Sequence, residues 1–315
     1  MHALFAYFVD NFDPFLFRIW NNVGPRWYGL AYVTAFGAGW LMMRLLARRG
    51  YADVNESQAG DFITWASLFG VLFGGRIGYA LFYKPEMFQE PLSLLRVWEG
   101  GMASHGGMIG LILFTLYYAR RYKTSWTNLG DNLVVAAPIG LFLGRMANFI
   151  NGELYGRATQ VSWAMQFPKE ILDDRALESR ALDLCGKIDP EMTSADAIIQ
   201  GARHNPHIVD ALRSVLSPRH PSQLYEAALE GVVLFAIMWF ARTRTRQPNG
   251  VLTGIFFICY SVFRIIAEIF REPDAPLVGI FTRGQFLSFF LLAAGIGFIL
   301  AAKWRPVYPK KLEAH

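Results

Sequence analysis

The sequence predicts an all-α polytopic membrane protein with seven transmembrane helices, and three observations carry that prediction. Only 17% of the residues are charged, against roughly 25% in a soluble domain, which is too few to cover a water-facing surface. Hydrophobic residues make up 53% of the chain, with 26 Phe and 9 Trp, and the mean hydropathy is +0.26. The apolar residues fall in long blocks, not at amphipathic spacing. That excludes the soluble two-domain enzyme that 315 residues would otherwise allow. A formal charge of +5 and a pI near 9.2 do not mark a nucleic-acid surface, because Lys and Arg sit in short clusters between the apolar blocks. No nucleic-acid partner is expected. Cys185 lies in a polar stretch and Cys259 in an apolar block, so no disulfide framework is expected either.

Taken in order, residues 1–26 read as an N-terminal arm. They lack a basic n-region, and Asp10, Asn11, Asp13 and Pro14 interrupt a Phe-rich run, so no cleavable signal is expected. Phe5, Phe8, Phe12, Phe15, Phe17 and Trp20 suit an anchoring arm along the outer membrane interface. Crossing a bilayer takes about 20 mostly apolar residues. Such stretches lie at 27–47, 61–83, 103–119, 128–150, 223–241, 251–270 and 284–302. No internal repeat is visible, which argues against an inverted-repeat transporter.

Basic residues in short loops orient the helices. One side carries Arg44, Arg48, Arg49, Arg120, Arg121, Lys123, Arg242, Arg244, Arg246, Lys303, Arg305, Lys310 and Lys311. The other carries Arg18, Arg26, Lys84, Arg96, Arg271 and Arg283. The first side is expected to be cytoplasmic, with the N-terminus outside and the C-terminal tail, 304–315, inside. Helices one to four then fill 27–151 and helices five to seven fill 223–303. Residues 152–222, rich in Asp, Glu, Pro and His, form one long outside segment expected to make a small head.

An ionisable residue in hydrocarbon is expensive, and it faces a cavity, a partner or a substrate. Arg76, Arg145 and Arg264 sit in spans two, four and six, all of which run outward. Each lies five to seven residues before the outer end, or roughly 10 Å deep at the helical rise. His105 opens span three on the same side. A planar, permanently charged fork suits bidentate contact with phosphate, so a phospholipid headgroup is the expected ligand. The alternative is that each arginine snorkels or pairs with a helix neighbour. For Arg76, the flanking Gly74, Gly75 and Gly78 could serve helix packing alone.

Tyr260, Arg264, Glu268 and Arg271 follow at i+4, i+4 and i+3, making one polar stripe on an apolar helix. Glu268 is placed to hold Arg264. Arg145 and Asn148 share a face, and the glycines around them, like those around His105, permit close approach of a ligand or another helix. Composition and spacing alone lead to an outer-leaflet phospholipid enzyme or carrier.

Several runs together resemble one family. They are Trp27-Tyr28-Gly29, Gly74-Gly75-Arg76-Ile77-Gly78-Tyr79, Gly101 through Gly107, Gly144 through Gly156, His220 through Glu226, and Phe263 through Asp274. Their order and identity resemble the prolipoprotein diacylglyceryl transferases over nearly the whole chain, and the Gly-Arg-x-x-Asn-Phe-x-Asn-Gly-Glu run is specific by itself. The resemblance implies a multi-pass enzyme of the bacterial inner membrane. It would move diacylglycerol from phosphatidylglycerol to the lipobox cysteine of a prelipoprotein, leaving a thioether and glycerol phosphate. The outside face would then be periplasmic, and 152–222 a periplasmic head loop. Two departures stand out: Arg26 replaces a histidine found in some relatives, and residues 169–219 are longer than in shorter relatives.

The implied chemistry is attack of a thiol sulfur on the glycerol carbon that bears the phosphate. Negative charge grows on the leaving phosphate, so fixed cations in a dry site contribute most. That work falls to Arg145 and Arg264, with Asn148 and Tyr28 placing the headgroup. Glu153, Gly156, Arg76, Tyr260, Glu268 and Arg271 complete the expected headgroup contacts. His105 is the candidate base for the thiol proton, although a nearby arginine could lower the thiol pKa without one. No metal-ligand cluster is visible and no cofactor is expected. A phosphatidyltransferase of the CDP-alcohol type would need an Asp-rich metal motif, whereas Asp61 and Asp131 stand isolated.

Overall fold

The computed structural model describes residues 7–19, 24–96, 101–273, 277 and 279–310. Phe5, Trp20, Asp274 and Lys311, named above, lie outside the described residues. Among those described, six helices are long and apolar enough to cross a membrane: α1 (Trp27–Arg48), α2 (Glu56–Phe82), α4 (Trp126–Ile150), α8 (Ser222–Arg244), α9 (Val251–Phe270) and α10 (Arg283–Trp304). The expected third span is the helix α3 (Ser104–Arg121), which is not among the six. His105, Gly106 and Gly107 at its start and Arg120 and Arg121 at its end dilute its apolar run. Its 18 residues reach roughly 27 Å at 1.5 Å per residue.

Two compact units make up the chain. One holds Met1–Val33, Leu141–Val233 and Cys259–Leu292. Its head segment carries three short helices with side-chain caps at their N-termini. Asp174 accepts from the amides of Ala176 and Leu177 at the start of α5 (Arg175–Ile188). Ser194 caps α6 (Ala195–Gly201), and Asn205, with Pro206 in the first turn, caps α7 (Pro206–Val215). Leu177, Ala181 and Cys185 recur every four residues and pack against Ile198, Ile208 and Leu212 in a core of the head's own. The N-terminal arm joins this core. Strand β1 (Phe8–Val9) pairs in parallel with β2 (Met165–Gln166), and Val9 is buried. The arm is thus a strand docked to the head as well as a row of phenylalanines, of which Phe8, Phe12 and Phe17 stay exposed.

The other unit holds Thr34–Gly140, Leu234–Ile258 and Ala293–His315. Helices α2 and α3 touch backbone to backbone through Gly70, Gly74, Gly78, Gly106 and Gly110. A Cβ on Gly74 would stand 2.7 Å from the Gly106 carbonyl oxygen, and one on Gly78 would stand 2.5 Å from the Gly106 Cα. The glycines beside His105 therefore serve a neighbouring helix. A π-helical stretch, Ala66–Phe73, interrupts α2. Asp131 is not isolated. It accepts from the amides of Gly250 and Thr253 and from the Thr253 hydroxyl at 2.7–2.8 Å, capping the start of α9. Buried Arg242 donates to Asn132 Oδ1 and to the Tyr51 carbonyl.

Candidate active site

In the first unit, α4, α8 and α9 place six opposite charges in one cluster. Arg145 projects from α4. Its Nε lies 2.7 Å from Glu226 Oε2, and its Nη2 lies 3.2 Å from Glu230 Oε2. Arg264, from α9, has Nη1 at 3.1 Å from Glu226 Oε2 and 3.7 Å from Glu230 Oε1, and its Nη2 pairs with Glu268 one turn along. Arg271 reaches Glu226 Oε1 at 3.3 Å. Glu226 and Glu230 are 1% and 0% exposed at their side chains, Arg145 and Arg264 17% and 13%. Charges this deep persist only when paired, since an isolated ion would cost several kcal/mol. The pairing arises locally. Tyr260, Arg264 and Glu268 recur every four residues on α9, and Glu226 and Glu230 do the same on α8 where it passes into a π-helical stretch, Ala227–Val233. Segments of π-helix are frequent at functional sites.

Glu226 and Glu230 are missing from the residues expected of this site. Their signal in the sequence is two carboxylates four apart inside an apolar block. The expected partner of Arg264, Glu268, is joined by two carboxylates from a different helix. Arg145, Arg264 and Arg271 are each paired with a carboxylate.

The run Asn148-Phe149-Ile150-Asn151-Gly152-Glu153 ends α4 in a Schellman turn. Gly152 sits at φ +63, its amide donates to the Phe149 carbonyl at 2.9 Å, and the Glu153 amide donates to the Asn148 carbonyl at 3.1 Å. That turn folds Glu153 back so that Asn148 Nδ2 donates to its Oε1 at 2.9 Å. Leu154 follows at φ +58, a left-handed conformation that costs a branched residue of order 1–3 kcal/mol. It is held by Gln223 Nε2 donating to the Glu153 carbonyl at 2.7 Å and by the Ser222 hydroxyl donating to the Leu154 carbonyl at 3.0 Å. Gly156 then passes between two chains: its amide donates to the His220 carbonyl at 2.9 Å, and a Cβ there would lie 2.5 Å from the carbonyl oxygens of both His220 and Phe270. Gly156 is thereby required for packing. Glu153 also lines a polar cleft of about 620 Å³ with Lys169, Asp173 and Arg219. There burial raises the Tyr155 hydroxyl above its usual range, and so does its hydrogen bond to Asp173.

Tyr28, half-buried at the start of α1 in the same unit, packs against Tyr32 with ring centroids 5.3 Å apart. Arg76 and His105 belong to the other unit. Buried Arg76 donates to the carbonyls of Ser93 at 2.7 Å, Arg96 at 2.9 Å, Gly101 at 3.2 Å and Leu94 at 3.3 Å. Its fork, expected to contact a headgroup, donates to the backbone of the loop after α2. A buried guanidinium with five donors satisfies several loop carbonyls at once. His105 is exposed at the start of α3.

Comparison with known proteins decides the family. The family model described as prolipoprotein diacylglyceryl transferase matches residues 14–301. The chain belongs to the prolipoprotein diacylglyceryl transferase family. It is 39% identical to the phosphatidylglycerol–prolipoprotein diacylglyceryl transferase of Gluconacetobacter diazotrophicus, covering 96% of this chain and 95% of that one. The enzymes of the same name from Azospirillum brasilense and Serratia proteamaculans are each 40% identical to it, over 93% and 90% of this chain and 96% and 91% of theirs.

Proposed function

We propose that this chain transfers the diacylglyceryl group from phosphatidylglycerol to the lipobox cysteine thiol of prelipoproteins, at the arginine–glutamate cluster. The observation that carries the reading is the convergence of Arg145, Arg264 and Arg271 on shared carboxylates inside apolar helices. A soluble-type salt bridge has no need of that depth, but anion chemistry in a dry site does. Sulfur attacks the glycerol carbon, the carbon–oxygen bond to phosphate breaks, and glycerol phosphate departs with the bonding electrons. Arg145 and Arg264 stabilise the charge that gathers on its oxygens. Tyr28, Asn148 and Glu153 place the headgroup, with Tyr260, Glu268 and Arg271 completing the polar stripe, and Gly156 and Arg76 hold the backbone around the sites. His105 takes the thiol proton.

The same reading places the chain in a bacterial inner membrane as a seven-span protein, with α3 as the seventh span. Its N-terminus and 152–222 head are periplasmic, its tail is cytoplasmic, and the arginines lie towards the periplasmic leaflet. The thirteen-to-six division of basic residues supports that orientation. The deciding experiment incubates the purified protein with phosphatidylglycerol and a lipobox peptide. A peptide mass increased by one diacylglyceryl group on cysteine, with glycerol phosphate released in equal amount, is expected. Lipid binding without any such product would instead favour a carrier.

A further inference from the structure

By count the cluster is neutral: Arg145, Arg264 and Arg271 against Glu226, Glu230 and Glu268. The three carboxylates are not held alike. Glu226 meets all three arginines, and Glu268 is closely paired with Arg264. Glu230 differs from both in having a buried oxygen left without a donor. Its Oε2 accepts from Arg145 Nη2 at 3.2 Å, whereas its buried Oε1 has no hydrogen-bond partner and only a 3.7 Å approach to Arg264 Nη1. The groups that face Glu230 are Arg145 from α4, Arg264 and Tyr260 from α9, and Glu226 on its own helix.

A phosphodiester entering the arginine forks adds one negative charge to a buried, already neutral set. Burial penalises that excess heavily. Restoring neutrality takes one proton, and a carboxylate with a buried oxygen that no donor meets accepts it at least cost. We propose that Glu230 takes up one proton when an anionic phospholipid headgroup binds, so that Arg145 and Arg264 exchange a carboxylate for the phosphate. Glu230 is in this sense a positioning residue that acts through the arginines, and the inference rests on the headgroup docking at this cluster.

The test measures binding of phosphatidylglycerol to the full-length protein in micelles between pH 5.5 and 9, where the lipid's own charge is constant. Calorimetry in buffers of different ionisation enthalpy counts the protons taken up, and uncharged diacylglycerol serves as control. Wild type should take up close to one proton with phosphatidylglycerol and none with diacylglycerol. Its affinity should weaken by up to about tenfold per pH unit as pH rises. Glu230→Gln, which imitates the protonated group, should bind without proton uptake and with no pH slope. Glu230→Asp should keep the slope. A Glu230→Gln variant with the wild-type slope would overturn the inference, and so would a wild type that binds without a proton, whether or not the variant folds. If Arg145→Lys leaves the affinity unchanged, the docking site itself is wrong. Weakened binding in Arg145→Lys together with an unchanged slope in Glu230→Gln would sink only the role of Glu230.

Discussion

Arg145 makes its contacts as a fork, with Nε towards Glu226 and Nη2 towards Glu230, and a lysine has one point of charge to replace both. Arg145→Lys should therefore keep the net charge yet lower kcat/KM for diacylglyceryl transfer by roughly 10²-fold, the scale of one lost transition-state donor. Wild-type turnover in that variant, at normal protein levels, would remove Arg145 from the chemistry. His105 poses a different question, because it is exposed on α3 and tied to no member of the cluster by a described hydrogen bond. If it accepts the thiol proton, His105→Gln should slow single-turnover transfer by about 10²–10⁴-fold. The deficit should shrink as pH rises towards the free thiol's pKa near 8.5. Parallel pH profiles for wild type and variant would leave His105 as scaffold. Arg76 shows how one residue type divides by surroundings: an arginine beside a long loop is taken up by carbonyls, whereas Arg145 and Arg264 are taken up by carboxylates.

Among the elements, the α2–α3 contact depends on absent side chains. Gly78→Val would set branched carbons against the Gly106 backbone, where even a Cβ stands at 2.5 Å. Overpacking of this kind costs about 1–3 kcal/mol, so the variant should melt several degrees lower in detergent, while Gly144→Ala, with nothing within 4 Å, should not. The arm carries a pH dependence of its own. Burial pushes the Asp10 carboxyl from 3.8 up to about 7, with the Phe12 amide and Lys169 and Arg203 opposing the shift in part. Docking thus favours the protonated acid. Its contribution is complete below about pH 4, where an undocked Asp is also protonated, and it is lost as pH rises through 7. Hydrogen exchange at the Asp10 amide, which donates to the Gln166 carbonyl at 2.8 Å, should report more opening at pH 8 than at pH 5 after correction for intrinsic rates. Asp10→Asn should abolish the difference.

For the whole molecule, orientation decides which compartment the cluster serves. A reporter active only outside the cytoplasm should work when fused after residue 190 and fail after residue 246. The reverse pattern would place the head in the cytoplasm and remove the reading of a periplasmic-leaflet site. The same experiment addresses α3. With six crossings the two ends of the chain would face the same side, and with seven they face opposite sides, so reporters at the two termini should give opposite results if α3 crosses.

Length and apolarity by themselves determined the helices, because a bilayer demands about 20 apolar residues wherever a chain crosses it, and this demand is local. The polar stripe through Glu268 was legible for the same reason, since helical periodicity is a property of short segments. What only the tertiary structure decided is who pairs with whom. Glu226 and Glu230 are distant in sequence from Arg145, and a carboxylate 85 residues away leaves no periodic trace beside its partner. The surroundings of Arg76 were hidden on the same account, as its four carbonyls come from Ser93, Leu94, Arg96 and Gly101, 17 to 25 residues along the chain. Ion pairs between helices depend on rotation and register, which packing sets, and packing exists only once the chain has folded.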